Sequence, residues 1–254
     1  MISPIVAIGV LVLIAIGSSG EKKIVPTPND TQSDTQDDTK KDDTQSDSEP
    51  TQGDNNAGLD IKKAWIDKAF EITGKNESPN GRPDYVFQDG TKNGGMTSVS
   101  VGRFQFNDKH SLAAVFAECL RRNREKTLQL YPDAEKASDK SWLGVNDIWP
   151  NRNQIAMLMR EPFAVESQIA VVTEQYMKPV IGLAKQPVDL FLLFDTSVHC
   201  GDDTARELWS KAKDINEFAF EADMYKERRY GSAYATSRRR NIVANYKDWQ
   251  PDNE

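Results

Sequence analysis

A mainly helical α+β fold with a small sheet is what this sequence predicts, and three observations predict it. Stretches between residues 59 and 246 repeat their apolar side chains at helical spacing. Only one short stretch, Ser98 to Phe106, alternates as a strand does. The Gly-, Asn-, Pro- and Asp-rich residues 75–98 ahead of it leave room for a long loop or an irregular hairpin. Few strands beside many helices make an α+β arrangement.

The elements follow in order. Leu59 to Thr73 brings Ile61, Ala64, Trp65, Ala69, Phe70 and Ile72 near helical spacing, with Asp60 placed to cap and Gly74 to stop it. Ser111 to Arg121 sets Leu112, Val115, Phe116, Cys119 and Leu120 on one side of a helix. Residues 131–152 are turn-rich, with Trp142 and Trp149 expected to plug that layer. Phe163 to Leu183, Val188 to Cys200, Thr204 to Lys211, Ile215 to Glu227 and Ser232 to Tyr246 read as helices. No internal repeat is evident.

The first quarter stands apart from this head, which spans residues 59–254. Residues 1–20 carry no charged side chain, and Ile5 to Ile16 is an unbroken run of aliphatic residues and Gly. Two readings stand. As an uncleaved anchor, roughly 19 uncharged residues reach about 28 Å, close to a bilayer core. As a signal peptide, the run ends on Ala15-Ile16-Gly17, a small-x-small cleavage pattern. Both make the chain membrane-anchored or secreted, with an extracytoplasmic head and the membrane as a partner through residues 1–20. Lys22 and Lys23 pull the other way, because positive charge after a span favours the cytoplasmic side. Residues 21–58 then read as a disordered acidic linker. Residues 21–60 hold eleven Asp/Glu against four Lys/Arg and no aromatic residue, too little apolar surface to offset chain entropy. Such a spacer reaches about 35 Å or more.

The net charge of −7 belongs to that linker, because residues 61–254 balance at 28 acidic and 28 basic side chains. The basic cluster Arg238 to Arg240 therefore does not imply nucleic acid. All five Trp lie in the head, which is long enough for one sizeable core and is expected to be monomeric. His110 and His199 are too few and too scattered for a metal site, and no cofactor is implied. A Gly-x-Ser-x-Gly nucleophile elbow is absent. Cys119 and Cys200 are two buried thiols or, in an exported head, a disulfide.

Two acidic groups carry the candidate chemistry. Glu71 ends an apolar helix, and Asp89 follows eighteen residues later in a Gly-rich turn. Paired carboxylates across a cleft are the minimal equipment for hydrolysing a glycosidic bond. Partial burial beside Phe70 is expected to raise the Glu71 pKa and keep it protonated as the acid, while a solvated Asp89 stays ionised as the base. Asp84 is the alternative base. Asp195 lies inside the most hydrophobic helix and demands a cationic partner, with Arg228, Arg229 and Arg238 to Arg240 as candidates.

Four pieces then fall in one order. They are Ala69-Phe70-Glu71 with Asp89-Gly90, Ser100-Val101-Gly102-Arg103-Phe104-Gln105-Phe106, Phe194-Asp195-Thr196-Ser197-Val198-His199-Cys200-Gly201, and Arg239-Arg240-Asn241-Ile242-Val243-Ala244-Asn245. Together the head resembles the chitosanase family of the lysozyme superfamily and related peptidoglycan-associated proteins. The resemblance implies a lysozyme-like two-lobed head and an inverting glycoside hydrolase, with Glu71 as acid and Asp89 as base. It further implies that Ser100 holds the attacking water and that Arg103 and Gln105 contact substrate. Asp195 with Arg239 or Arg240 then forms a buried ion-pair network behind Glu71; a purely structural pair is the alternative. This sequence departs in a longer Asp89 to Ser100 loop and in His199, one place earlier than the family His. The expected substrate is a β-1,4 amino-sugar polymer, cell-wall peptidoglycan before chitosan. A non-catalytic glycan-binding or virion structural protein is the reading from another class.

Overall fold

The computed structural model describes residues 54–90, 96–108, 110–141, 144–232 and 235–251. The expected anchor and most of the expected linker, and Trp142, lie outside them. The described residues form a mainly helical α+β domain with one three-stranded antiparallel sheet. Among them no helix is long and apolar enough to cross a membrane.

Helix α1 runs Asp54–Glu77, one turn past the expected stop at Gly74. Gly74 is a packing glycine: a Cβ there would stand 2.4 Å from Arg103 Nε, so the long side chain lies across bare backbone. The stop is Ser78 and Pro79. Ser78 donates from both its backbone N–H (3.0 Å) and its hydroxyl (3.2 Å) to the Gly74 carbonyl, and the proline ring cannot continue the helix. Those extra residues bring Asn76 and Glu77 into the interior.

Residues 75–98 contain the hairpin that their composition allows. Strand β1 (Val86–Gly90) pairs antiparallel with β2 (Met96–Val101), setting Val86 opposite Val101, Phe87 opposite Ser100 and Asp89 opposite Ser98, with a bulge at Asp89/Gly90. The strand expected over Ser98–Phe106 breaks at Gly102 (φ 88°). The chain turns there, and Gln105 (φ 54°) closes the turn by donating from Nε2 to the Gly102 carbonyl at 2.9 Å. Strand β3 (Phe106–Asn107) then returns against Ser100 and Val101.

Helix α2 (Leu112–Leu130) breaks its helical angles at Asn123, two residues past the expected end. Asn123 Oδ1 accepts from the Lys126 N–H, which restarts the helix. The turn-rich segment holds α3 (Ala134–Ala137) and α4 (Val145–Ile148), with Trp149 packed partly buried against the core. Helix α5 (Arg152–Met159) was not expected; it buries Ile155, Leu158 and Met159, a spacing hidden by the Pro and Asn residues before it. Helix α6 (Pro162–Val172) passes through a π-type turn at Thr173–Met177 into α7 (Lys178–Ile181). Helices α9 (Asp202–Lys211), α10 (Ile215–Tyr230) and α11 (Arg238–Tyr246) complete the order. Helix α11 begins six residues after the expected start at Ser232.

Helix α8 (Pro187–Cys200) is the axis of the domain. Every residue from Pro187 to Ser197 is buried, and α1, α7, α9, α10 and α11 all pack on it. A helix apolar on all sides can only sit inside. Its N-terminus is satisfied internally, as the buried Asp189 carboxylate accepts from the backbone N–H of Lys185 (3.0 Å) and Gln186 (3.2 Å). Phe194 meets Phe70 of α1 (centroids 5.3 Å apart) and Phe104 of the β2–β3 turn (6.1 Å), so one aromatic cluster fixes helix, turn and axis together.

Gly102 tests this arrangement, since a Cβ there would lie 2.5 Å from Gln168 Oε1, the acceptor of the Arg103 N–H. Gly102→Ala is expected to lose about 1–3 kcal/mol by urea denaturation, through left-handed strain and displacement of Gln168.

Candidate functional site

Asp195 has the cationic partners its burial demands. Its Oδ1 accepts from Arg238 Nη2 at 2.6 Å and from Asn76 Nδ2 at 3.0 Å, and its Oδ2 lies 2.9 Å from Arg239 Nε. Its backbone carbonyl accepts from Arg239 Nη2 at 3.0 Å. Burial opposes ionisation of this carboxyl, but Arg238 and Arg239 outweigh it and hold the pKa below the ordinary carboxylate range. Arg238 reaches further, placing Nη1 2.8 Å from Glu77 Oε1. Burial works against the Arg238 charge, and Asp195 with Glu77 more than restores it.

The chain of charges continues on the other side. Asp223 of α10, fully buried, accepts from the backbone N–H of Arg239 (3.0 Å) and Arg240 (3.2 Å), so it neutralises the α11 N-terminus. Arg240 Nε also donates to it at 3.1 Å. Of the two arginines expected as partners of Asp195, Arg239 pairs with it and Arg240 serves Asp223. Successive helix residues point about 100° apart, so three consecutive arginines cannot share one carboxylate. The order is Glu77, Arg238, Asp195, Arg239, Asp223, Arg240, with signs alternating throughout.

This ladder meets α1 at Asn76 and Glu77, not behind Glu71 as expected. Glu71 is 40% exposed and bound on both sides, to Lys75 (2.6 Å) and Lys68 (2.9 Å). Those two ammonium groups, Lys75 before Lys68, hold its pKa below the ordinary value, the reverse of the expected shift. The Lys-x-x-Glu-x-x-x-Lys spacing was a legible sign of that clamp. Glu77 was missed because Gly74 read as a terminator; the Ser78-Pro79 step was the available signal.

Beside the ladder lies a cleft of about 520 Å³. Gln105 and His110 line it from the sheet side, Tyr176 from the π-type turn, His199 and Cys200 from the end of α8, and Lys226 from α10. The size is within the range of small-molecule sites. Glu77, only 3% exposed, is not itself among the lining residues, but its charge acts on two that are, Tyr176 and Lys226.

The remaining expected residues divide. Gln105 lines the cleft, with its amide nitrogen donating to Gly102. Arg103 is half-buried, lies against Gly74 and donates from Nη2 to the Phe70 carbonyl at 3.2 Å, so it latches the turn to α1. Ser100 is buried in β2 opposite Phe87 and Asn107. The Asp89 backbone is in strand β1, and its side chain lies outside the described residues, so its separation from either glutamate does too. Asp84, the alternative base, is held by Arg82 and Arg160 in two short ion pairs. Arg82 first, then Arg160, outweigh burial and pull its pKa to about 2. Cys119 and Cys200 are both free thiols; burial pushes Cys119 up to about 11. Among the described residues no group of three His, Cys, Asp or Glu is placed to hold a metal.

No family model, curated protein or solved structure matches this chain.

The ladder predicts that Asp195→Ala, which strands Arg238 and Arg239 in the interior, costs about 3–5 kcal/mol in urea unfolding. Asp84 predicts a pH dependence. Its folded pKa is depressed from 3.8 to about 2, so its contribution is present above the unfolded value and is lost as pH falls between those two values. Asp84→Asn is expected to be less stable at neutral pH and to show a flatter loss of stability across that window.

Proposed function

We propose that the chain is an inverting glycoside hydrolase acting on a β-1,4 amino-sugar polymer of the cell envelope, with Glu77 as the proton donor. The observation that carries this reading is the buried Glu77 carboxyl, held by Arg238, whose charge reaches Tyr176 and Lys226 of the cleft lining. A general acid must hold one orientation toward the leaving oxygen, and Arg238, itself held by Asp195, locks that rotamer. Glu71 has no such setting, being ion-paired at the surface. Asp89 remains the proposed base, holding water on the opposite side of the sugar, with Ser100 assisting. The cleft lies between the sheet side and the α8–α10 side, and this supports a lysozyme-like division into two lobes. Residues 1–20 and the acidic linker would tether this head, anchored or exported, close to its polymer.

A non-catalytic glycan-binding reading draws support from one observation: the carboxylate expected as the acid, Glu71, is neutralised by two lysines. Turbidity loss of purified cell walls separates the two. Glu77→Gln is expected to lower the rate by about 10²–10⁴-fold, while Glu71→Gln stays near wild type. Retained activity in Glu77→Gln removes Glu77 as the acid. A wild type inactive on every β-1,4 amino-sugar polymer leaves the binding reading.

A further inference from the structure

Hydroxyl side chains line the cleft from four places in the fold: Ser111 ahead of α2, Tyr176 in the π-type turn, Thr204 in α9 and Tyr225 in α10. Such a lining suits a neutral ligand rich in oxygens, each able to accept a hydrogen bond. Charged groups of the lining are engaged or withdrawn: Asp202 and Asp203 pair with Arg206, and Lys226 is buried.

Tyr225 differs from the others because the direction of its hydrogen bond is fixed. Arg229, one turn further along α10, donates from Nη1 to the phenol oxygen at 3.0 Å. A guanidinium has no acceptor atom, so the phenol is the acceptor in that bond and its own proton is left to be donated elsewhere. Thr204 Oγ1 lies 3.5 Å away, at the outer limit of a hydrogen bond, and does not saturate that proton. Half-buried on the lining, Tyr225 therefore has an O–H to give to whatever occupies the cleft. Tyr176 follows the same pattern, with Ser111 donating to its oxygen. Its backbone carbonyl accepts from Ser197 Oγ of α8 at 3.0 Å, which pins the π-type turn to the axis of the domain.

We infer that Tyr225 is a substrate-binding residue that donates its O–H to an oxygen of a pyranose ring in the cleft, and that Arg229 is the positioning residue that aims it. This rests on the assignment of the cleft to a glycan. A phenol whose oxygen already accepts from a cation is polarised and becomes the stronger donor. A pyranose carries its hydroxyl and ring oxygens on a rigid frame, so one aimed donor fixes the orientation of the whole ring. The bond is made equally before and during cleavage, so it holds the polymer without taking part in breaking it.

The test is sedimentation binding of the full chain to purified cell walls and to an insoluble N-acetylglucosamine polymer, with wall hydrolysis followed in parallel and folds checked by circular dichroism. Tyr225→Phe, which removes only the hydroxyl, is expected to weaken binding about three- to tenfold, to raise KM by the same factor and to leave kcat within about twofold. Arg229→Met is expected to weaken binding in the same sense, and Arg229→Lys, which still donates, to restore most of it. The double variant Tyr225→Phe/Arg229→Met is expected to be no weaker than Tyr225→Phe alone, because Arg229 acts through the phenol. Arg229 is exposed, so its variants probe the same donor even where loss of the phenol hydroxyl disturbs folding. Unchanged binding in folded Tyr225→Phe or in Arg229→Met, additive losses in the double variant, a loss confined to kcat, or wild-type binding to neither polymer overturns the inference. Weakened binding by a protein that hydrolyses neither polymer sustains it and removes the hydrolase reading; wall cleavage indifferent to Tyr225→Phe does the opposite.

Discussion

The fold depends on one arrangement above all, the Arg238 guanidinium held between Glu77 and Asp195. Each of those charges, buried singly, would be prohibitive, since desolvating an ion costs several kcal/mol that only a well-placed counter-charge offsets. The protein solves this by lining up three arginines against three carboxylates drawn from α1, α8 and α10. Each inner member is shared between two neighbours, and only Glu77 and Arg240 at the ends have one, so the inner contacts are conditional on one another.

Helix α8 makes that conditionality possible. Buried around its whole circumference, it cannot rotate or slide without repacking five helices, and Asp195 is therefore a fixed point. From that point Arg238 positions Glu77, while the last residues of the same helix, His199 and Cys200, form part of the cleft wall. Core rigidity and cleft geometry are thus set by one element. The aromatic contacts of Phe70, Phe104 and Phe194 bind the sheet side to the same axis.

Much of this was legible in the sequence. Helix α8 announced itself as a run too apolar for any surface, and Asp195 in its middle announced a cationic partner. The Gly-, Asn- and Asp-rich stretch before an alternating segment allowed a long loop or an irregular hairpin, and the hairpin is what forms. What failed did so for identifiable reasons. Gly74 was read as punctuation because local sequence does not reveal that Arg103, far along the chain, lies on it. Glu71 was favoured because it follows Phe70, although the lysines at helical spacing on either side already indicated a solvent-facing clamp. The sequence leaves Arg239 and Arg240 as equal candidates for Asp195, and the helical rotation between adjacent residues gives Arg239 to Asp195 and Arg240 to Asp223. The cleft itself is assembled from the sheet side, the π-type turn, α8, α9 and α10, and no single motif could display it.

The ladder also imposes a timetable on biosynthesis. A chain made from its N-terminus places Glu77, Asp195 and Asp223 in the growing polypeptide before Arg238 to Arg240 have been added. Until α11 arrives, the would-be interior holds three acids without their counter-ions, and α8 cannot be enclosed at low cost. The ladder is therefore complete only once the last described helix has been made.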